Sequence, residues 1–317
     1  MKKKKNKKIA LILIVLLLLI TTGCTKQLKD GKEVVTNEET GQTLTANILC
    51  KPSDEKLYET YEKYDDKLQV RLEDLPTCKS FTPKKIKYQS LWESILVKPL
   101  AFIILKLGYL MNNMMGLSVM IVGLIIRLIM MPIQIKSVSQ SENMKKVQPE
   151  LEKLERKYRN KTDNDSLMMK SQETMMLYKK YNINPVSGCI MAFIQLPLFF
   201  AFLEAINRVP AIFEGSFLTM NLGMTPSTGI AHHNYIYIIL IILIILTTFL
   251  SFTMSMKQQE TNSEMAQQMK MMSVFMIFMV SIASLSLPTA IALYWIVMNG
   301  FAVIQTIIIK KIIEKRI

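Results

Sequence analysis

Arg127 stands alone in the stretch "GLSVMIVGLIIRLIMMPIQIK", residues 116–136. Between 117 and 135 it is the one fully charged side chain, and it lies close to the middle. Nineteen residues at about 1.5 Å each cover roughly 28 Å, the depth of a hydrocarbon core. An arginine at that depth costs about 2.5–3.5 kcal/mol on insertion scales, so it is expected to face protein or trapped water. No Asp or Glu lies at matching depth in the other apolar blocks, and Glu204 sits near the end of its own. The other blocks offer neutral polar groups instead, among them Gln195, Thr247, Ser281, Asn299 and Gln305. Such groups can tie helices together by hydrogen bonds worth about 0.6–2 kcal/mol each. They can equally line a hydrated cavity, which satisfies a guanidinium better.

The cysteines suggest different chemistry. "MKKKKNKK" followed by twelve apolar residues (9–20) is too short to span a membrane but suits a signal-peptide core. "TTGC" then places small residues before Cys24, as in a bacterial lipoprotein processing site where the cysteine takes up lipid. Six of the 39 Lys+Arg precede that point, so net charge falls from +14 to +8 on cleavage, and the basicity says little about nucleic acid. Cys50 and Cys78 lie in an exported segment; they form a disulfide or stay as two free thiols, and the oxidising compartment favours the bridge. Cys189 reads as a small buried side chain. His232–His233 is a lone pair in a loop, and no metal site is expected there. No nucleophile, acid/base pair or metal set converges at one depth, so an enzyme is not expected. No cofactor is implied.

These residues need a frame to hold them. Half of the 317 residues are apolar, and they gather in blocks rather than at helix or strand period. The reading is all-α and polytopic: signal peptide 1–23, lipid-anchored outer segment 24–90, interfacial helix 91–112, then five membrane helices. The five are 113–135, 188–206, 235–256, 271–287 and 289–310. Loops 207–234 (outside) and 257–270 (inside) and a basic tail, 311–317, complete it. Residues 136–187 carry 11 Lys/Arg against 7 Asp/Glu, while 207–234 carries one Arg and one Glu. By the positive-inside rule 136–187 and the C-terminus are cytoplasmic. The outer segment holds 12 basic and 12 acidic residues in 25–90 and few large apolar ones, so a small or partly disordered ectodomain is expected. In 91–112, Glu93, Lys98, Pro99 and Lys106 interrupt an apolar run, as suits a helix lying along the membrane face.

Met144, Val147, Leu151, Leu154 and Tyr158 follow at spacings of 3, 4, 3 and 4, a heptad stripe. "NKTDND" breaks it, and "SLMMKSQETMMLYKKYNINP" resumes helix up to Pro185. The pattern is an antiparallel hairpin, either a solvated spacer or a docking arm. Pro132, Pro197 and Pro288 bend or end helices. The 24 methionines serve as ordinary packing or as adaptable apolar surface.

From Trp92 to Ile309 the chain resembles the YidC/Oxa/Alb family of membrane protein insertases. The likeness rests on "GLIIRLIMMPIQIKSVSQSENMKKVQPELEKLERKY", "LYKKYNINPVSGCIMAFIQLPLFFAFLEAI" and "LPTAIALYWIVMNGFAVIQTIIIKK". With its lipoprotein leader it looks like the Gram-positive type. The resemblance implies a five-helix core around a hydrophilic groove, open to cytoplasm and lipid and closed outside, with Arg127 in it. It implies substrate contact at Tyr294 and Trp295, and the neutral groups Gln195 and Asn299 are candidates for the same groove. It implies nascent membrane proteins as substrates, and the Sec translocon, ribosome and membrane lipids as partners, in the bacterial plasma membrane. Two rivals stay open from the residues alone: a channel or transporter using Arg127 as an anion site, and a scaffold lipoprotein acting through the hairpin.

Overall fold

A computed structural model describes residues 25–86, 90–183, 187–259 and 263–315. The expected signal peptide, 1–23, and Cys24 fall outside these residues. The described chain is mostly helical and clusters into two compact units. One comprises the described chain up to Ile126 with Phe193–Ile245 and Ser281–Met298; the other comprises Arg127–Ala192, Leu246–Val280 and Asn299–Ile317.

In the first unit, residues 25–86 are folded. A short antiparallel pair, β1 (Lys29–Asp30) and β2 (Glu33–Val34), turns at Gly31, whose φ of 61° suits a residue without Cβ. Helix α1 (Glu55–Lys63) is capped by Asp54, whose carboxylate accepts the Leu57 N–H at 2.9 Å. Cys50 and Cys78 are bonded to each other, with Cα atoms 4.8 Å apart. Leu28, Leu44, Ile48, Leu49, Leu57, Tyr61, Leu72, Leu75 and Phe81 are buried. Partial disorder is therefore not what the described residues show. The apolar residues are few but converge, and closing a 28-residue separation removes freedom from the unfolded chain.

Helix α2 (Lys98–Leu110) follows a wider helical turn at Glu93–Val97. It buries Leu100, Ala101, Ile104 and Leu105 and exposes Ile103 and Leu110. Glu93 and Lys98 are buried in protein, although their types suggested contact with a wet interface. Asn112 and Asn113, with φ of 55° and 64°, end the run and let the chain turn into α3 (Met115–Ile129).

Helix α3 stops at Met130, and α4 (Met131–Tyr158) begins with Pro132, which lacks an N–H and suits a first turn. Helix α5 (Asn164–Lys180) starts at Asp163, which accepts the Ser166 N–H at 2.9 Å. The long helices that follow are α6 (Ser187–Asn207), α7 (Ile236–Gln259), α8 (Ser263–Ala283) and α9 (Thr289–Glu314), with short helices Pro210–Phe213 and Pro226–Ala231 and a strand pair, Ser216–Phe217 with Met220–Asn221, between α6 and α7. Among the described residues, two stretches are long and apolar enough to span a bilayer: Ile236–Met256, mean hydropathy 2.7, and Thr289–Ile313, mean hydropathy 1.8. The α3–α4 pair makes a third if its break is counted within one span. The apolar described parts of α6 and α8, Gln195–Asn207 and Ser273–Ala283, are shorter. Helix α7 buries Tyr237, Leu240, Ile244 and Thr248 and exposes Ile239, Ile242, Leu246 and Phe249. A helix with a packed stripe and a large apolar outer face fits lipid better than water.

Candidate functional site

Arg127 lies near the end of α3, a 15-residue helix with no other charge, and is half-buried. Four residues earlier, Gly123 lets α3 approach α9. A Cβ there would sit 3.0 Å from the Met298 sulfur and 3.2 Å from the Tyr294 ring. Small residues at such crossings allow close packing between apolar helices.

The Tyr294 ring stacks on Phe202 at 4.3 Å with an 11° interplanar angle, and Phe199 meets Trp295 edge-on at 5.3 Å. Phe199 and Phe202 are one helical turn apart on α6, so an aromatic ladder fastens α6 to α9. Tyr294 is buried in that ladder, whereas Trp295 and Gln195 are half-buried. Trp295 and Gln195 thus keep part of their surface uncovered. Gln195, Tyr294 and Trp295 belong to the first unit; Arg127 and the half-buried Asn299 belong to the second.

The second unit also holds the α4–α5 hairpin. Val147, Leu151 and Ile183 form its core, flanked by Met144, Leu177, Tyr178 and Tyr181. Two reciprocal clasps join the helices. Glu173 on α5 accepts from Lys157 at 2.7 Å and Tyr158 at 2.8 Å on α4. Glu150 on α4 accepts from Lys180 at 3.3 Å and from the Tyr181 hydroxyl. The pairing order makes the helices antiparallel. Bonds from Tyr181 and Lys180 lower the pKa of Glu150, and those from Lys157 and Tyr158 lower that of Glu173. A groove of about 510 Å³ runs between the clasps, lined by Lys153, Leu154, Met176 and Leu177 among others.

A buried ionic cluster in the first unit was missed from the sequence. Arg208 Nη1 donates to Glu93 at 2.9 Å and to Glu204 at 2.7 Å, and its Nε donates to the Asn47 carbonyl at 2.7 Å. Trp92 Nε1 donates to Glu204 at 2.8 Å. Glu93, Glu204, Asn47 and Trp92 are all buried, as is Arg208 itself. Nearby, Lys98 Nζ donates to the Ile86 carbonyl at 2.6 Å, and burial pushes the pKa of Lys98 down against the opposing pull of Glu93. The one sequence signal was the Glu204–Arg208 spacing of four at the end of an apolar helix.

The 60Kd inner membrane protein family model matches residues 107–316. Similar curated proteins agree. A membrane protein insertase YidC of Oceanobacillus iheyensis is 35% identical over 221 residues, 70% of this chain and 84% of the relative. The membrane protein insertase MisCA of Bacillus subtilis is 36% identical over 219 residues, 69% of this chain and 79% of the relative. Membrane protein insertase YidC 1 of Listeria monocytogenes is 37% identical over 218 residues, 69% of this chain and 71% of the relative. With matches of this extent, the chain belongs to the 60Kd inner membrane protein family, the YidC/Oxa/Alb insertases, and is embedded in the bacterial cell membrane.

Proposed function

We propose that this chain inserts nascent membrane proteins into the bilayer through a hydrophilic groove in which Arg127 receives polar or acidic substrate segments. The groove is bounded by five spans, α3, α6, α7, α8 and α9. The hairpin and C-terminus are cytoplasmic, and Cys24 carries lipid on the outer face. The observation that carries this reading is Arg127: a half-buried guanidinium on a helix otherwise without charge. Its placement costs free energy, which a purely structural helix has no reason to spend.

The hairpin captures the emerging chain, from a ribosome or beside the Sec translocon. A hydrophilic tail enters the groove, where its desolvation cost falls and its attraction to Arg127 exceeds that in bulk water. Gln195 and Asn299 offer it neutral hydrogen bonds, and Trp295 offers an aromatic face. The apolar part of the substrate passes into lipid, and its burial, about 0.8 kcal/mol per CH₂, drives the step. Neither nucleotide nor metal is required.

The test is complementation of an insertase-depleted strain, with insertion of an acidic-tailed substrate as readout. Arg127→Ala should fail and Arg127→Lys should retain part of the activity, since positive charge matters more than a bidentate fork. Full insertion by Arg127→Ala rejects the role.

A further inference from the structure

Within the first unit, loop 207–231 is held by two sets of partners. The first belongs to the helix ends. The Leu222 carbonyl accepts the Ala290 N–H at 2.9 Å, and the Met224 carbonyl accepts both the N–H (3.0 Å) and the hydroxyl (2.8 Å) of Thr289. Ser227 N–H donates to the Leu285 carbonyl at 3.0 Å, and the Leu222 side chain lies against Gly116, the second residue of α3.

The second set belongs to the disulfide-closed module 25–86. Besides the Arg208–Asn47 bond, Leu49 N–H donates to the Arg208 carbonyl at 2.7 Å and the Thr45 hydroxyl to the Asn207 carbonyl at 3.2 Å. Ser53 N–H donates to Glu214 at 2.6 Å, and Thr225 N–H to the Thr40 carbonyl at 2.8 Å. The docking segment 45–53 contains Cys50, and its next residue, Lys51, bonds to the Pro76 carbonyl at 2.9 Å beside Cys78. Arg208 is fully buried and joins this segment to Glu93 and Glu204. A charge so enclosed, bonded to three separate parts of the chain, marks a built interface rather than a resting contact.

We propose that residues 25–86 are an outer cap, seated on loop 207–231 through Arg208, that keeps the outer ends of α3, α6 and α9 sealed to ions. This rests on the topology proposed above. A hydrated groove entering from one side becomes a conduction path if those outer ends part. Loop 207–231 takes its order from the cap on one hand and from the helix ends on the other. Holding the loop in place is therefore a barrier function, separate from receiving substrate at Arg127. The disulfide keeps the docking segment in register for Arg208.

The test uses the full chain, with a protease site inserted between Ile86 and Ser90 and a C-terminal tag, reconstituted in vesicles loaded with a pH-sensitive dye. After cleavage, detergent extraction and pull-down should retain the 25–86 fragment with the tagged remainder. The cleaved vesicles should be as proton-tight as uncleaved ones. Arg208→Met combined with Glu204→Gln leaves Glu93 balanced by Lys98. It should weaken retention about ten- to a hundredfold, the scale for leaving the buried Asn47 carbonyl without its donor. Proton leak should rise about tenfold. Cys50→Ala with Cys78→Ala should shift both readouts the same way by less. If the double variant does not fold, a mild urea wash of the cleaved wild type strips the fragment and tests the same point. Loss of the fragment from unwashed wild type overturns the cap, and so does a stripped or released fragment with no added leak. Insertion assayed in the same vesicles separates the two readings. A tight Arg127→Ala protein that inserts normally removes the groove role and leaves the cap standing.

Discussion

Replacing Leu151 by Ala tests what holds the hairpin together. Leu151 is 4% exposed, between Val147 and Ile183, with Leu177 and the tyrosines of α5 and its end around it. Buried Leu→Ala changes cost about 2–5 kcal/mol, less where neighbours can collapse into the space. A two-helix seam relaxes readily, so about 2–3 kcal/mol is expected, or roughly 30- to 150-fold more opening at about 1.4 kcal/mol per tenfold. The clasps contribute less, because their four charged groups face water and are screened there. Hydrogen exchange of the full chain in lipid nanodiscs reads this directly. Amides of 144–158 and 166–181 should exchange faster in Leu151→Ala by that factor. Glu150→Gln with Glu173→Gln, or added salt, should change them little. The acid dependence has a definite sign. Both carboxylates have pKa values lowered in the fold. Their contribution is therefore present at neutral pH and lost only as pH falls through values below the ordinary carboxylate range. If salt or the Gln pair opens the hairpin while Leu151→Ala leaves exchange unchanged, the seam is not what holds it.

Burial raises the pKa of Glu214 despite the Ser53 N–H it accepts. A carboxyl with a raised folded pKa destabilises above that pKa, and the penalty disappears as pH falls to its unfolded value. Glu214→Gln, which keeps an acceptor oxygen for Ser53, should therefore raise the melting temperature at pH 7.5 and leave it nearly unchanged at pH 4, by differential scanning fluorimetry. Gly229 lies so close to Tyr237 that a Cβ would overlap its ring. Gly229→Ala should cost about 1–3 kcal/mol by overpacking and lower the melting temperature, and Tyr237→Leu should relieve part of that loss.

The apolar blocks made the helices legible, because a run near twenty residues long has few alternatives in a bilayer. The hairpin was legible for a different reason. Its heptad stripe is local, and Val147, Leu151, Leu154 and Tyr158 are all buried. The break at Met130 was foreshadowed by Pro132. The reciprocal clasps were not, since each requires knowing which Glu faces which Lys-Tyr pair across the turn. The folded state of 25–86 was hidden by its balanced charge. Composition reports how little apolar surface a segment carries, not whether that surface converges. Of the groove candidates, Tyr294 and Trp295 are adjacent in sequence, yet helical geometry turns one into the aromatic ladder and leaves the other half-buried.

The charged residues show why types and spacing carried the reading only so far. Arg127 drew attention because it interrupts an apolar run. Glu93 and Lys98 were read as marks of a helix along the membrane face and Arg208 as a loop charge, because each sits at the edge of a block where charge is cheap and common. Their partners lie 161 and 115 residues away for Arg208 and 12 for Lys98. A buried pair of this kind adds little net stability compared with apolar packing, since desolvation consumes most of the Coulomb gain. What it does add is discrimination. A misplaced module leaves the Arg208 Nε–H and the Asn47 carbonyl without each other in a dry site, a larger penalty than a misplaced leucine incurs. For a segment that must find one seat, a bond to a buried charged side chain specifies that seat more sharply than another hydrophobic contact would.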